Sequence, residues 1–170
     1  MHSIGRLSWR NVRIGLISDT HGLLRPEAVR ALAGAAQIIH AGDVGGPAVL
    51  EGLRAIAPVH AVRGNNDSDA WSDSLPLRLS LDIAGIHIHV LHDLKELRSE
   101  VQSERRSATG SGGYRVVVAG HSHKPAVLER DGVLYVNPGS AGPRRFKLPI
   151  TIAYLTITQG SALAEIRTLL

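Results

Sequence analysis

The chain has 170 residues, of which 44% are hydrophobic and 20% are charged, a balance typical of one soluble domain with a buried core. It contains no cysteine, which excludes disulfides and thiolate metal sites and leaves His, Asp, Glu and Asn as the side chains that could hold a metal. The net charge of +4 could attract phosphate-bearing partners, but the basic residues are scattered, and we interpret them mainly as solvated surface.

The first residues do not have the pattern of a signal peptide. Residues 1–12 carry several charges and lack a continuous apolar segment, so we interpret them as a loose extension before a single domain at 13–170. No run approaches the roughly 18 apolar residues that a membrane span requires. We therefore expect a cytoplasmic protein with no membrane partner.

Short apolar runs alternate with helical patterns along the chain, which is typical of an α/β domain. The predicted strands lie at about 13–18, 37–41, 59–63, 77–83, 86–91, 115–119, 133–136 and 152–157. Two predicted helices begin with a proline in the first turn, at 26–35 and 47–56, and a charged amphipathic helix is predicted at 94–106. The Gly- and Ser-rich residues 107–113 are interpreted as a flexible turn.

Polar side chains come directly after the ends of five of these strands. They lie in the segments 19–22, 42–43, 64–67, 92–93 and 120–123, and several stand beside a glycine. Because the carboxyl ends of strands in an α/β sheet lie along one edge, we expect these segments to converge on one crevice. The glycines allow sharp turns and a close approach of the backbone.

The chemistry of the converging residues indicates a metal site. Without a cation, bringing Asp19 next to Asp43 would cost like-charge repulsion. Mixed oxygen and nitrogen ligands suit Mn, Fe, Zn, Co or Ni, whereas oxygen ligands alone would suggest Mg or Ca. The candidate metal ligands are Asp19, His21, Asp43, Asn65, His92, His121 and His123. Such a set is too large for one structural zinc and fits two metals that share a carboxylate, as in phosphatases and nucleases.

Each motif by itself has a simpler explanation. Gly-Asp and Gly-Asn-Asn-Asp are common turn sequences, and it is the order of the motifs at strand ends that favours a site. The remaining histidines receive the simpler interpretation. His87 and His89 share one strand face and are interpreted as surface or interlayer residues, as are His40 and His60, while His2 belongs to the extension.

The ordered motifs resemble the calcineurin-like metallophosphoesterase superfamily, whose pattern is D-x-H, G-D, G-N-x-[DE], a single H and G-H-x-H. The resemblance spans about 14–157. The short chain and the Asn-Pro-Gly-Ser segment at 137–140 resemble the small YfcE- or MJ0936-like phosphodiesterase branch, which also includes the non-enzymatic scaffold subunit of retromer. The resemblance implies a four-layer α/β/β/α sandwich of two mixed sheets flanked by helices, with the site between the loops of the two sheets.

The resemblance also implies two divalent transition-metal ions, with manganese favoured. The ligands implied for the first metal are Asp19, His21, Asp43 and His123. The ligands implied for the second metal are Asp43, Asn65, His92 and His121. Asp43 would bridge the two metals together with a water or hydroxide that attacks phosphorus in line. The candidate catalytic residues are Asp43, Asn65, Asn66 and Asp67.

Two positions depart from the family pattern. The larger phosphatases have a histidine, thought to assist the leaving group, where this chain has Asn66, and an amide cannot be a general acid. We therefore expect a preference for diesters with good leaving groups over alkyl monoesters. Asp67 either orients the loop or holds a neighbouring histidine. Asp93 stands where the family usually has glycine, and it either contacts the water shell of the second metal or faces outward.

The sequence therefore predicts a metal-dependent hydrolase of small phosphodiesters, with a homo-oligomer, a dimer or tetramer, as the expected state. Arg144 and Arg145 either contact a substrate phosphate or face solvent. One alternative is a non-catalytic metal-binding scaffold like the retromer subunit. Another is a nuclease or nucleotide hydrolase, but few aromatic side chains are present to stack on bases, so nucleic acid is the less favoured substrate.

Overall fold

Two five-stranded mixed sheets and two helices form the computed structural model, which describes residues 11–97 and 115–170. The strands are β1 Val12–Ile17, β2 Gln37–His40, β3 Val59–Ala61, β4 Arg78–Ile83, β5 Ile86–Leu91, β6 Val116–Val118, β7 Ala126–Arg130, β8 Val133–Asn137, β9 Thr151–Thr158 and β10 Ser161–Thr168. The helices are α1 Pro26–Leu32 and α2 Pro47–Arg54, and short 3-10 turns occupy Ala70–Ser74 and Leu94–Glu96.

Strand direction brings the polar segments together. The first sheet has the order β10-β9-β1-β2-β3, with β1, β2 and β3 mutually parallel. The second has the order β4-β5-β6-β8-β7, with β5, β6 and β8 parallel. Because parallel strands end at the same edge, the segments after β1, β2 and β3 meet, and those after β5 and β6 meet in the same way.

The first sheet is buried on both faces. Ile14 and Leu16 on one face of β1 pack into the core between the sheets, while Ile17 on the other face packs against the helices. Gly15 lies under α1, where a methyl group would overlap the side chain of Leu32, so glycine permits the close approach of helix and sheet. The described residues therefore form three layers, namely helices, first sheet and second sheet.

All eight predicted strands are present, each within two residues of the predicted ends. Two further strands were not predicted: β7, which is exposed throughout, and β10, which is exposed at alternate positions. Both predicted helices are present and end two or three residues early. No helix of the described ranges is long and apolar enough to cross a membrane.

Several of the sequence-based predictions concern residues outside the described ranges. The helix predicted at 94–106 starts as a 3-10 turn at Leu94–Glu96, and from residue 98 onward it lies outside the described residues, as does the turn at 107–113. The fourth layer of the expected sandwich therefore stays a prediction. The proposed extension also lies outside them up to residue 10, and β1 begins at Val12, which pairs with Ile157.

Candidate metal centre

The loops that follow the strands are bonded to one another through their backbones. The backbone nitrogen of Asp19 donates to the carbonyl of Gly42, and that of His21 donates to the carbonyl of Asp43, both at 3.0 Å. A methyl group on Gly64 would overlap the backbone nitrogen of Asp43, so only glycine lets these two loops approach so closely. The predicted crevice at the carboxyl ends of the strands is therefore present.

Five of the seven predicted ligands adopt a left-handed backbone. They are Asp19 (φ 54°), His21 (φ 46°), Asp43 (φ 54°), His121 (φ 66°) and His123 (φ 59°). This conformation costs a non-glycine residue about 1–3 kcal/mol, and such strain concentrates at functional sites. The sharp turns direct successive side chains inward, which a regular strand or helix would not do.

Three of the residues form what we call the buried pole: Asp19, His21 and His123. Asp19 Oδ1 lies 3.2 Å from His123 Nε2 and 4.0 Å from His21 Nε2, and the two imidazole nitrogens are 3.4 Å apart. The other oxygen of Asp19 accepts hydrogen bonds from the Ser18 hydroxyl (2.7 Å) and from the backbone nitrogen of His121 (3.1 Å). These two bonds fix the carboxylate so that Oδ1 points at the histidines.

Three others form the open pole: Asn65, His92 and His121. Asn65 Oδ1 lies 3.0 Å from His92 Nε2 and 3.0 Å from His121 Nδ1. His92 Nδ1 is 2.7 Å from the carbonyl oxygen of Ala41, to which it must donate, so in the neutral ring Nε2 carries the lone pair toward the pole. The side chain of His121 is 41% exposed, whereas that of His92 is 6% exposed.

Asp43 lies between the two poles. Its Oδ2 is 3.9 Å from His21 Nε2 and 3.4 Å from His92 Nε2. Asn66 donates to Asp43 twice, from its backbone nitrogen to Oδ1 (2.8 Å) and from its side-chain amide to Oδ2 (2.7 Å). Burial would raise the pKa of Asp43, but the hydrogen bonds from His92 and Asn66 outweigh it and hold that pKa below its usual range.

The other shifts also reflect carboxylates gathered in a buried place. Burial raises the pKa of Asp19, and the Ser18 hydroxyl with the neighbouring histidines offsets it only in part. Burial would lower the pKa of His92, but the contacts with Asp43 and the Ala41 carbonyl outweigh it and raise that pKa. In both residues the shift reflects burial weighed against the charges and hydrogen bonds of the neighbouring side chains.

The residues at the two poles fit divalent metal ions. Ligand atoms of Asp19, His21 and His123 lie within 4.8 Å of one another, and so do those of Asp19, Asp43 and His92. Asp19 Oδ1 is buried and accepts no hydrogen bond from the described part of the chain. A buried acceptor without a donor costs about 1–3 kcal/mol, which a cation at this position would recover. The mixed carboxylate, amide and imidazole set suits transition metals without selecting one of them.

Asp67 holds the two loops that carry Asp43 and Asn65. Its Oδ2 accepts from the backbone nitrogens of Gly64 (2.9 Å) and Val44 (3.1 Å), and its Oδ1 accepts from that of Gly45 (2.9 Å). These contacts match the first of the two roles considered for it, orientation of the loop. A catalytic role for Asp67 stays a prediction.

His40 contributes to the site in a way that the sequence analysis missed. It is fully buried, and its Nδ1 accepts from the backbone nitrogen of Gly42 (3.2 Å). Its Nε2 therefore donates to the Thr20 hydroxyl (2.9 Å), which donates to the Val44 carbonyl (2.8 Å). Burial, with help from the nearby charge of His92, lowers the pKa of His40 to about 3 and keeps it neutral. The only sequence signal is a histidine in an apolar strand just before Gly-Asp.

The other histidines inside strands are structural. His87 pairs with Asp82 (2.8 Å) at the surface, and His60 lies 2.7 Å from Gln37 Oε1. His89 is buried on the face of β5 that points away from the core between the sheets. These positions agree with the surface or interlayer interpretation.

A cavity of about 120 Å³ opens beside the open pole. The side chains of Arg63, Leu77, Asp93 and Glu96 line it together with the pole. Asp93 therefore lines this cavity with a side chain that is 25% exposed, and its Oδ2 lies 3.7 Å from His121 Nε2.

The two arginines of the 143–148 loop differ in their surroundings. Arg144 donates from Nη1 to the carbonyl of Leu148 (3.2 Å) in its own loop. Burial is the main cause of a lowered pKa at His123, and the guanidinium of Arg145 acts in the same direction, which indicates that Arg145 lies near the buried pole.

The family is established by comparison with known proteins. Residues 12–160 match the calcineurin-like phosphoesterase superfamily domain, and the chain belongs to this superfamily. It is 35% identical over 132 residues to a probable metallophosphoesterase of Methanothermobacter thermautotrophicus, covering 75% of this chain and 76% of the relative. It is 29% identical over 145 residues to the phosphodiesterase MJ0936 of Methanocaldococcus jannaschii, covering 75% and 83% of the two chains.

The fold is shared with solved structures. The vacuolar protein sorting 29 structure from Cryptosporidium parvum superposes with a TM-score of 0.72 at 21% identity, covering 92% of this chain and 97% of that one. At this identity the similarity shows the fold alone. The resemblance to the superfamily is therefore confirmed, and the expected fold is confirmed as an α/β architecture with two mixed five-stranded sheets.

Proposed function

We propose that this protein is a dinuclear metal-dependent phosphodiesterase that hydrolyses small phosphodiesters. The observation that carries the proposal is the pair of poles joined by Asp43, whose Oδ2 faces His21 on one side and His92 on the other. Membership of the superfamily and the 29% identity to a phosphodiesterase support the same reaction class. When bound, two divalent ions would supply Lewis acidity toward the phosphoryl oxygens and would lower the pKa of water.

The proposed ligands are divided between the poles. The buried pole would hold one ion through Asp19, His21 and His123, and the open pole would hold the other through Asn65, His92 and His121. Asp43 would serve both. In the neutral, metal-bound ring the Ala41 carbonyl would hold the proton of His92 on Nδ1 and leave Nε2 as the ligand nitrogen, as a hydrogen-bond acceptor behind a metal-bound histidine does.

The charge of the ligand set matches an anionic substrate. Asp19 and Asp43 carry at most two negative charges, and Asn65 and the histidines are neutral when they bind a metal. Two divalent ions would therefore leave the centre positive, which favours a phosphodiester anion.

The environment of Asn66 supports the preference for diesters with good leaving groups. Its amide nitrogen donates to Asp43 Oδ2, so the side chain helps to hold the shared carboxylate in place. Because an amide cannot donate a proton to a departing alkoxide, alkyl leaving groups would depart slowly. Asn66 would act by orienting Asp43, and the leaving group would need a low pKa of its own.

The test combines metal analysis with two substrates. Protein purified without chelators is analysed for metal by mass spectrometry, then assayed on bis(p-nitrophenyl) phosphate before and after EDTA treatment and after addition of Mn²⁺, with Asp43→Ala as the control. We expect about two ions per chain, activity that EDTA removes and Mn²⁺ restores, and a much lower kcat/KM on an alkyl phosphomonoester. Equal kcat/KM on both substrates would contradict the diester preference. Failure to bind any metal would contradict the metal centre itself.

A scaffold is the second candidate, because the chain shares its fold with vacuolar protein sorting 29. Two bound metals without turnover of any diester would favour it. A nuclease would instead require binding of an oligonucleotide that weakens as salt rises. The cytoplasmic location and the homo-oligomeric state expected from the sequence stay predictions.

A further inference from the structure

Asp93 lies beside the open pole and has no role in the proposed ligand set. It follows His92 directly at the end of β5, and its side chain is 25% exposed. Its Oδ1 accepts a hydrogen bond from the backbone nitrogen of Lys95 (3.0 Å), which caps the 3-10 turn Leu94–Glu96 and fixes the carboxylate. The second oxygen, Oδ2, is thereby directed at His121.

His121 presents its two ring nitrogens to different partners. Nδ1 lies 3.0 Å from Asn65 Oδ1 and therefore faces the open pole, whereas Nε2 lies 3.7 Å from Asp93 Oδ2. A metal-binding histidine commonly has a carboxylate or carbonyl behind its second nitrogen, which fixes the tautomer and makes the first nitrogen a better ligand. His92 has the Ala41 carbonyl in this role.

His121 needs such a partner more than His92 does. His92 is almost fully buried, so packing restricts its ring, but the side chain of His121 is 41% exposed and follows a sharp turn with a left-handed backbone. An exposed imidazole adopts several rotamers and both tautomers unless a fixed neighbour selects one of them. Among the described residues, Asp93 is the carboxylate that faces Nε2.

We propose that Asp93 is a positioning residue of the open pole, which accepts the Nε2 proton of His121 when a metal is bound and so leaves Nδ1 as the ligand nitrogen. The inference rests on the metal centre of the proposed function. A separation of 3.7 Å is an ion-pair distance and is longer than a hydrogen bond. The exposed ring would have to rotate toward Asp93 for this contact to become a hydrogen bond.

A different role for Asp93 would give a different result. The same carboxylate lines the cavity with Arg63 and Leu77, where it could contact the ester group of a substrate. A substrate contact would change KM and leave metal affinity unaltered, whereas a positioning role changes metal affinity in the absence of substrate. Metal affinity is therefore the deciding measurement.

The experiment measures metal binding to the full chain by titrating metal-free protein with Mn²⁺ and with Zn²⁺ against a chromophoric chelator. Asp93→Ala should weaken one of the two binding steps by about 10–100-fold and leave the other unchanged, because the buried pole has no contact with Asp93. The matched control is Glu96→Gln, which removes a negative charge from the same cavity wall, where Glu96 pairs with Arg78. It should leave both steps unchanged.

A double-mutant cycle identifies the residue through which Asp93 acts. In a His121→Ala background, Asp93→Ala should have no further effect on metal affinity, because the ring that it holds is gone. In the zinc-loaded wild-type protein, nitrogen-15 spectra should give His121 as the Nε2-protonated tautomer with a slowly exchanging proton. Asp93→Ala should speed that exchange.

The outcomes separate this inference from the proposed function. Two metals bound equally well by wild type and Asp93→Ala would overturn the inference and leave the metal centre intact. An equal effect of Glu96→Gln, or equal weakening of both steps, would show a general charge effect and would also overturn it. No metal bound by the wild-type protein would overturn the metal centre together with the inference.

Discussion

The buried pole and the open pole use similar side chains but are held in different ways. Asp19 and His123 are buried, and strained loops and packing set their directions. Asn65 and His121 are exposed, so individual hydrogen bonds must hold the side chains of the open pole. The difference indicates that the fold itself builds the first site, whereas the second depends on a few polar contacts. We therefore expect two unequal metal affinities, with the weaker ion at the open pole beside the cavity.

The largest expected effect comes from the carboxylate that belongs to both poles. Asp43→Asn should weaken metal binding at both poles, because it removes the negative charge that the two ions would share. We expect kcat to fall by more than about 100-fold, since loss of an outer partner alone costs about 10–100-fold. Both metals should be lost on dialysis, as measured by mass spectrometry. Retention of two ions by this variant would show that the poles are independent.

His40 supports the loops that carry Asp19 and Asp43 through its bonds to Thr20 and Gly42. His40→Ala would leave the Gly42 amide and the Thr20 hydroxyl without their buried partner, so we expect the free energy of unfolding to fall by about 2–3 kcal/mol. Urea unfolding of the metal-free protein measures the change. His87→Ala, at a partly exposed strand position, should cost under about 1 kcal/mol. A similar loss in the two variants would mean that the network contributes nothing beyond an ordinary surface pair.

Asp19→Asn should reveal the strain that the buried pole carries in the metal-free state. Burial raises the pKa of Asp19, and its Oδ1 accepts no hydrogen bond from the described residues, whereas an amide at that position could donate to His123 Nε2. Metal-free Asp19→Asn should therefore be more stable than metal-free wild type by about 1–2 kcal/mol. Saturating Mn²⁺ should reverse the order, because the variant binds the ion less well. Thermal unfolding with and without Mn²⁺ would detect either result, and equal melting of the two metal-free proteins would contradict the argument.

The smallest expected effect distinguishes Arg145 from Arg144, the two arginines of the 143–148 loop. Arg145→Ala should raise KM for an aryl diester about threefold, which is the ~0.7 kcal/mol of an exposed ionic contact, with kcat unchanged. Arg144→Ala should change neither constant, because Arg144 donates to its own loop. Steady-state kinetics on both variants compares them directly. A reversed pattern would move the substrate phosphate to the other arginine.

The sequence predicted where most of the candidate ligands lie, because one rule of sheet topology places them at the ends of strands. Each of the five polar segments follows an apolar run, and parallel strands of one sheet end at the same edge, so the convergence of Asp19 with Asp43 needed no tertiary information. The approach of His121 to Asp19 joins the two sheets and is a tertiary contact. The strand β7 was missed because Ala126–Arg130 is exposed on both faces, and its apolar run of three residues is too short to indicate a strand and has no alternating pattern. It exists through its pairing with β8, which is a tertiary contact.

Contacts between loops were the other feature that the sequence did not predict. The bond of His40 to Thr20 and the approach of Asp93 to His121 join residues that are distant in sequence. No local pattern encodes such distances. The choice between two roles for Asp67 could be narrowed only when its oxygens were found against three backbone nitrogens.

The left-handed backbone at the ligands has a consequence for protein engineering. At His121, where φ is 66° and the side chain is exposed, glycine would relieve the strain and remove no buried contact. A laboratory selection for heat resistance alone would therefore favour replacement of this histidine, which would remove a proposed metal ligand of the open pole. Attempts to stabilise this protein should be screened for metal binding at every round.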